Sequence, residues 1–254
     1  MYIFRKNLRK KGPVRHCILN TEDMSNTDTK SNILNNLKDK SAVKQLVFDN
    51  TLNVLSDIKK ILKELEVEFN HKLEEADDRI KLDYQDNGNY SAQLKIAGDL
   101  IIVAMHSNIF EFDRSHGVWK TSYVKSDKTA SYCGIINIYN FLSDSFKYNR
   151  MQDLGYLVGR IFINKDFHYF TEGKRQLGFF FNDFGNKVLE KESLTNMITL
   201  AINYALEFDL LVPPYDTVKI ASVEQISDRI QLSRMRTGKR LGFQFNADDI
   251  DGNL

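Results

Sequence analysis

Glu172-Gly173-Lys174 sets a carboxylate two residues before a lysine, the spacing at which metal-dependent nucleases hold a divalent ion and assist the attacking water. Asp153 or Asp166 would supply the second carboxylate that such a site needs. The same segment is half of a near-repeat. GKRQLGFFFN at residues 173–182 returns as GKRLGFQFN at residues 238–246, with Gln176 as the gap. The second copy carries Thr237 where the first has Glu172, so the feature the two share is not a metal-binding carboxylate. Gly173 also reads as a turn, where a nuclease needs a rigid strand. Three of the five histidines, His106, His116 and His168, fall in the region read below as sheet. No HxxxH, HExxH or CxxC spacing accompanies them, and no zinc or other metal site is assigned. Cys133 could form a nucleophile pair with His106 or His116, but nothing in the order of residues brings them together. Gly155 and Gly159 belong to no phosphate-loop or dinucleotide motif, so no cofactor is expected. No catalytic set is assigned.

A second chemistry is stacking and charge. Thirteen aromatics lie between Tyr139 and Phe184, interleaved with Lys147, Arg150, Arg160, Lys165, Lys174 and Arg175. Aromatic platforms with cationic rims hold single-stranded nucleic acid, yet an aromatic-rich strand block is also how a buried core is written. The candidate ligand- or partner-binding residues are Arg150, Arg160, Lys174, Arg175, Lys239 and Arg240, with His106 and His168 for a small-molecule pocket that would include Trp119. Lys239 and Arg240 follow Arg229, Arg234 and Arg236 and precede Asp248, Asp249 and Asp251. This alternation suits a solvated terminus or a self-complementary contact better than phosphate binding.

Composition bounds what these residues can do. The chain has 254 residues and a net charge of +1, from 35 basic and 34 acidic side chains, so no whole-molecule field draws it to nucleic acid or anionic membrane. Its longest strictly apolar run, Leu100 to Met105, falls far short of the ~20 residues that span a bilayer. Tyr2, Ile3 and Phe4 run directly into Arg5 and Lys6, which leaves no apolar core for a secretory signal. Two distant cysteines, Cys17 and Cys133, fit a reducing cytoplasm.

The elements that must position these groups follow from periodicity. Residues 1–32 read as a disordered leader. Residues 1–23 are expected to be an upstream mis-start before Met24, and the competing reading is a basic tail for nucleic acid or lipid headgroups. Residues 33–254 form one α+β domain. From 41 to 82 the spacing predicts a long amphipathic helix with Val47, Val54, Ile58, Leu62, Leu65, Leu73, Ala76 and Ile80 on one face. About 40 residues at 1.5 Å each reach roughly 60 Å, so the excess either packs on a second subunit or breaks and folds back over its own sheet.

After the Asp86-Asn87-Gly88-Asn89 turn the period changes to two across a sheet region at 90–184. Strands are expected at Ala92–Ile96, Leu100–His106, Ile109–Phe112, Trp119–Val124, Gly134–Tyr139, Tyr156–Asn164, Phe167–Thr171 and Leu177–Asn182. A short helix is expected at Phe141–Asn149. Helices and a strand occupy 190–247, the main helix running Leu194–Phe208 and a last one beginning at Ser222. Phe180 in the first repeat copy becomes Gln244 in the second, which reads as an interior strand and an edge or partner-docked strand. The whole is α+β: a mainly antiparallel sheet with a long N-terminal helix and C-terminal helices packed on one face.

The stretch from Leu94 through Phe184, in particular IINIYNFLSDSFKYNR and GRIFINKDFHYFTEGKRQLGF, resembles a family of uncharacterised soluble bacterial proteins, the similarity extending from about Ser41 to Asn246. The resemblance implies a bacterial cytoplasmic setting and supplies neither mechanism nor site. The expected function is a non-enzymatic binding or regulatory protein, a homo-oligomer joined through the long helix and the C-terminal strand, with a protein partner as a further option and no membrane. The alternative is a nucleic-acid-binding protein or metal-dependent nuclease working through the two GKR segments.

Overall fold

The computed structural model describes residues 26–179, 184–208, 219–220 and 222–223. Most of the leader and the second GKR copy, with Lys239 and Arg240, lie outside these residues, as does the last helix beyond Val223.

The long helix is present but displaced along the chain. Helix α1 (Asn26–Asn36) continues through one π-helical turn (Leu37–Ser41) into α2 (Ala42–Lys72). It therefore starts inside the stretch read as disordered leader and stops ten residues before Leu82. The stop is made by side chains. Asp77 accepts a hydrogen bond from the Arg79 N–H at 2.9 Å and starts a tight turn at Asp78–Ile80. Asn70 then bonds both the N–H and the carbonyl of Leu82, each at 2.8 Å. Ala76 and Ile80 thus belong to a return loop rather than to a helical stripe. The segment after them is strand β1 (Leu82–Asp86), which was not expected and of which the helical reading took in only Leu82.

Seven strands form one antiparallel sheet. Strands β1, β2 (Ser91–Ile96) and β3 (Asp99–Met105) run as hairpins, followed by the two-residue β4 (Phe110–Glu111), β5 (Tyr132–Leu142), β6 (Tyr156–Ile163) and β7 (Tyr169–Gly173). The spatial order is β1-β2-β3-β5-β6-β7, with β4 paired to the start of β5. The outer edge of β1 is blocked by α2, since Glu66 accepts from the Tyr84 N–H at 2.8 Å beside the two Asn70 bonds. An edge whose polar groups are occupied cannot recruit another strand.

Period-two alternation sends Leu94, Ile101, Val103, Ile136, Ile138 and Ile161 to one face of the sheet. There they meet Leu55, Ile58 and Leu62 of α2, and Met197, Ile198 and Ala201 of α6 (Lys191–Glu207). Each such large side chain contributes about 1.5–3 kcal/mol by leaving water. Both long helices thus cover one face, as the sequence pattern requires.

Among the described residues the second face is covered only in part. Phe112, Val118, Val124, Ala130, Cys133, Phe162 and Phe184 form a smaller cluster there. It is built from the 112–131 excursion, where a strand over Trp119–Val124 was expected. Instead a tight turn (Gly117–Lys120) leads into the short helix α3 (Ser122–Ser126). His116, Thr121 and Asp127 each accept a hydrogen bond from a backbone N–H two or three residues on, at 3.3, 3.3 and 2.8 Å. This relay of local caps outweighs the strand propensity of Trp119 and Val124. A short helix, α4 (Ser143–Lys147), follows β5 inside the span expected for it. No helix among the described residues is long and apolar enough to cross a membrane.

Candidate functional site

The first GKR segment folds as a reversal, not as a strand. Beyond β7, Arg175 takes a left-handed backbone (φ 50°), and the chain turns at once into the single helical turn α5 (Gln176–Phe179). Glycines permit this. A Cβ on Gly173 would stand 2.8 Å from that of Leu177, and one on Gly178 would stand 2.7 Å from the Gly173 carbonyl oxygen. Leu177 drops into the main core, and its carbonyl accepts from the Thr171 hydroxyl at 2.6 Å. The interior strand expected over Leu177–Asn182 is therefore corrected to a helical turn through Phe179. Alternation alone could not reveal that a left-handed Arg175 redirects the chain.

The reversal sets two cations against α6. Lys174 and Arg175, with Leu177, Leu200, Asn203, Tyr204 and Glu207, line a cavity of about 120 Å³. The Arg175 guanidinium lies 5.3 Å from the centre of the Tyr204 ring and binds Glu207 at 2.7 Å. The other Glu207 oxygen accepts from Asn203 at 2.7 Å. Helical spacing makes this set, because residues 203 and 207 stand one turn apart on α6. Tyr204, Asn203 and Glu207 were not singled out from sequence, where α6 was read for its apolar stripe. The signal was there in the polar residues between the stripe positions.

The other sequence candidates are placed apart from this cavity. Arg150 is almost fully buried and pairs with Asp153 at 2.9 Å, while Asp153 also accepts from Ser145 at 2.6 Å. Arg160 lies on the second face, paired with Glu172 across β6 and β7 at 2.5 Å. Glu172 is thereby engaged by an arginine. Among the described residues no three His, Cys, Asp or Glu side chains converge as metal ligands. His106 caps its own turn, its Nδ1 accepting from the Asn108 N–H at 3.0 Å, and packs edge-on to Phe110. Trp119 donates to the Phe112 carbonyl and carries Arg114 on its ring, whereas His168 stacks on Tyr123 at 4.8 Å. No ring contact or hydrogen bond among the described residues joins His106, Trp119 and His168 into one pocket. Cys133 is buried, and burial pushes its thiol up to about 12, the reverse of what a nucleophile requires.

The loop between β6 and β7 falls where the expected strands leave it, but the role of Asn164 within it was not legible in the sequence. Asn164 is fully buried and uses its whole amide. Its oxygen accepts from the Asp166 and His168 N–H groups, each at 3.0 Å, and its nitrogen donates to the Tyr123 hydroxyl and the Ala130 carbonyl at 3.0 and 3.3 Å. Tyr123 donates to Asp166, and Lys165 binds Asp127. Burial, then the Asp166 bond, raises the Tyr123 phenol above its ordinary value. The loop holds Phe167 at φ 57°, a conformation a bulky residue keeps only when its surroundings over-determine it.

Comparison with protein-family models, curated proteins and solved structures finds no match. What fold and site define is thus a class: an α+β protein with an antiparallel sheet, two long helices on one face, and a small charged cavity where the GKR turn meets α6.

Proposed function

We propose that this chain is a non-enzymatic binding or regulatory protein of the bacterial cytoplasm that self-associates through its N-terminal helix. The observation that carries this reading is the helical arm. Every side chain from Asp28 to Ala42 is exposed, including Ile33, Leu34 and Leu37, each more than half open to water. A helix of this length gains little from propensity alone and is ordinarily held by packing of an apolar face. Here Ile33, Leu34 and Leu37 stay open to water, and a second copy would supply the missing surface. The second contact expected from sequence, the strand at 238–246, belongs to the same proposal. The nucleic-acid or nuclease alternative has less support, because Arg150, Arg160 and Arg175 each carry a carboxylate partner.

Sedimentation of the full chain over a range of concentrations tests the reading. The expected result is a concentration-dependent dimer or higher species that becomes monomeric in the Leu34→Asp/Leu37→Asp double variant with unchanged circular dichroism. A wild-type monomer at every concentration refutes self-association.

A further inference from the structure

The cavity between the GKR turn and α6 has features of a small-ligand site, and we infer that it binds a short-chain carboxylate. Three observations carry this. First, its volume of about 120 Å³ well exceeds the ~10–15 Å³ that a single water needs, leaving room for a ligand of a few heavy atoms. Second, its described lining joins the cations of Lys174 and Arg175 to apolar surface from Leu177, Leu200 and Tyr204. This division suits a carboxylate with an alkyl tail better than a fully polar oxyanion. Third, a carboxylate already sits on the guanidinium: Glu207 binds Arg175 at 2.7 Å. Glu207 gives the guanidinium one oxygen and Asn203 the other, so its side chain stands in for a ligand head group that could use the planar fork of arginine with both oxygens.

Glu207 is also built to be exchanged. The Arg175 and Glu207 side chains are 63% and 51% exposed, and an ion pair so open to water is weak. When a ligand carboxylate takes the guanidinium, Glu207 keeps the Asn203 amide that it already accepts from at 2.7 Å. The Tyr204 ring, its centre 5.3 Å from the guanidinium carbon, keeps a cation–π contact with it through the exchange. Arg175 reaches this position from a left-handed backbone, an uncommon state for a long side chain and one that recurs where side chains are aimed at ligands. The site makes the protein a carboxylate binder in which Arg175 is the anchor and the Leu200 wall selects for an apolar tail.

This inference rests on the reading of the chain as a binding protein but not on its self-association. The test is calorimetric titration of the full-length protein with sodium butyrate, alongside butyramide and inorganic phosphate at matched ionic strength, with sedimentation of the same samples. Butyrate is expected to bind in the millimolar range or tighter, with butyramide and phosphate at least about tenfold weaker. Arg175→Gln, a substitution on the surface, and Leu200→Trp, which fills the cavity, should each weaken butyrate by about tenfold or more. Absence of butyrate binding overturns the inference, as does equal binding to Arg175→Gln or equal affinity for phosphate. Butyrate binding lost while self-association persists would refute this site and leave the assembly reading standing. Binding by a strictly monomeric protein would do the reverse.

Discussion

Asn164 shows what a single buried amide can hold. It satisfies two backbone donors, a tyrosine hydroxyl and a distant carbonyl, while Asn50 of α2 donates to the Asn164 and Lys165 carbonyls at 3.2 and 2.7 Å. Asn164→Ala leaves several of these groups unpaired in the interior and should cost about 2–4 kcal/mol in denaturant unfolding. Cys133 should resist thiol reagents in the folded protein at pH 8 and react only on unfolding. Its thiol is pushed up to about 12, first by burial. Asp127 gives a pH signature. Hydrogen bonds from Lys165, then Thr129, hold its carboxyl at about 2, below the ordinary 3.8. A depressed acid contributes stability that is complete above 3.8 and is lost as pH falls towards 2, so Asp127→Asn should flatten the acid limb of the unfolding curve in that window. The effect will be modest, since the Asp127 side chain is 43% exposed and the pair is partly screened by water. None of this was legible as chemistry in the sequence, because a lone asparagine or cysteine carries no record of its neighbours.

At the scale of elements, α2 and β5 approach as closely as side chains allow. A Cβ on Gly134 would lie 2.0 Å from the Thr51 hydroxyl oxygen. Gly134→Ala should therefore destabilise by about 1–3 kcal/mol through overpacking, and Thr51→Ala in the same chain should recover part of it by removing two of the three nearest atoms. If the double variant is no more stable than Gly134→Ala, the proposed clash is not the cause. Strands that alternate cleanly were legible: Ser91–Ile96 and Asp99–Met105 differ from their expected bounds by a residue. The two misread strands, Trp119–Val124 and Leu177–Asn182, share a cause. In each, side-chain caps or a left-handed residue redirect the backbone, and a hydrophobicity pattern contains neither. The helix end at Lys72 was misplaced for a related reason, since apolar spacing continues through Ile80 while Asn70 and Asp77 turn the chain.

Across the whole molecule, what is left uncovered is the feature that matters. The second sheet face carries Ile102, Tyr139 and Phe141 half-buried beside exposed Phe146, Met151, Leu154 and Leu157. The helical arm carries Ile33, Leu34 and Leu37 more than half exposed and meets β5 at Lys40, whose ammonium lies 5.8 Å from the centre of the Tyr132 ring. Because Leu34 and Leu37 are each more than half exposed, Leu34→Asp/Leu37→Asp should change monomer stability by less than about 0.5 kcal/mol, even though it is expected to abolish assembly. A large loss of monomer stability in dilute protein would mean that the arm packs on its own chain. Periodicity in the sequence was enough to define an α+β class, one buried face per helix and most strands, because alternation and helical spacing are local records of burial. The cavity at Arg175 and the hub at Asn164 arose from folding, because each depends on residues distant in the chain meeting in space.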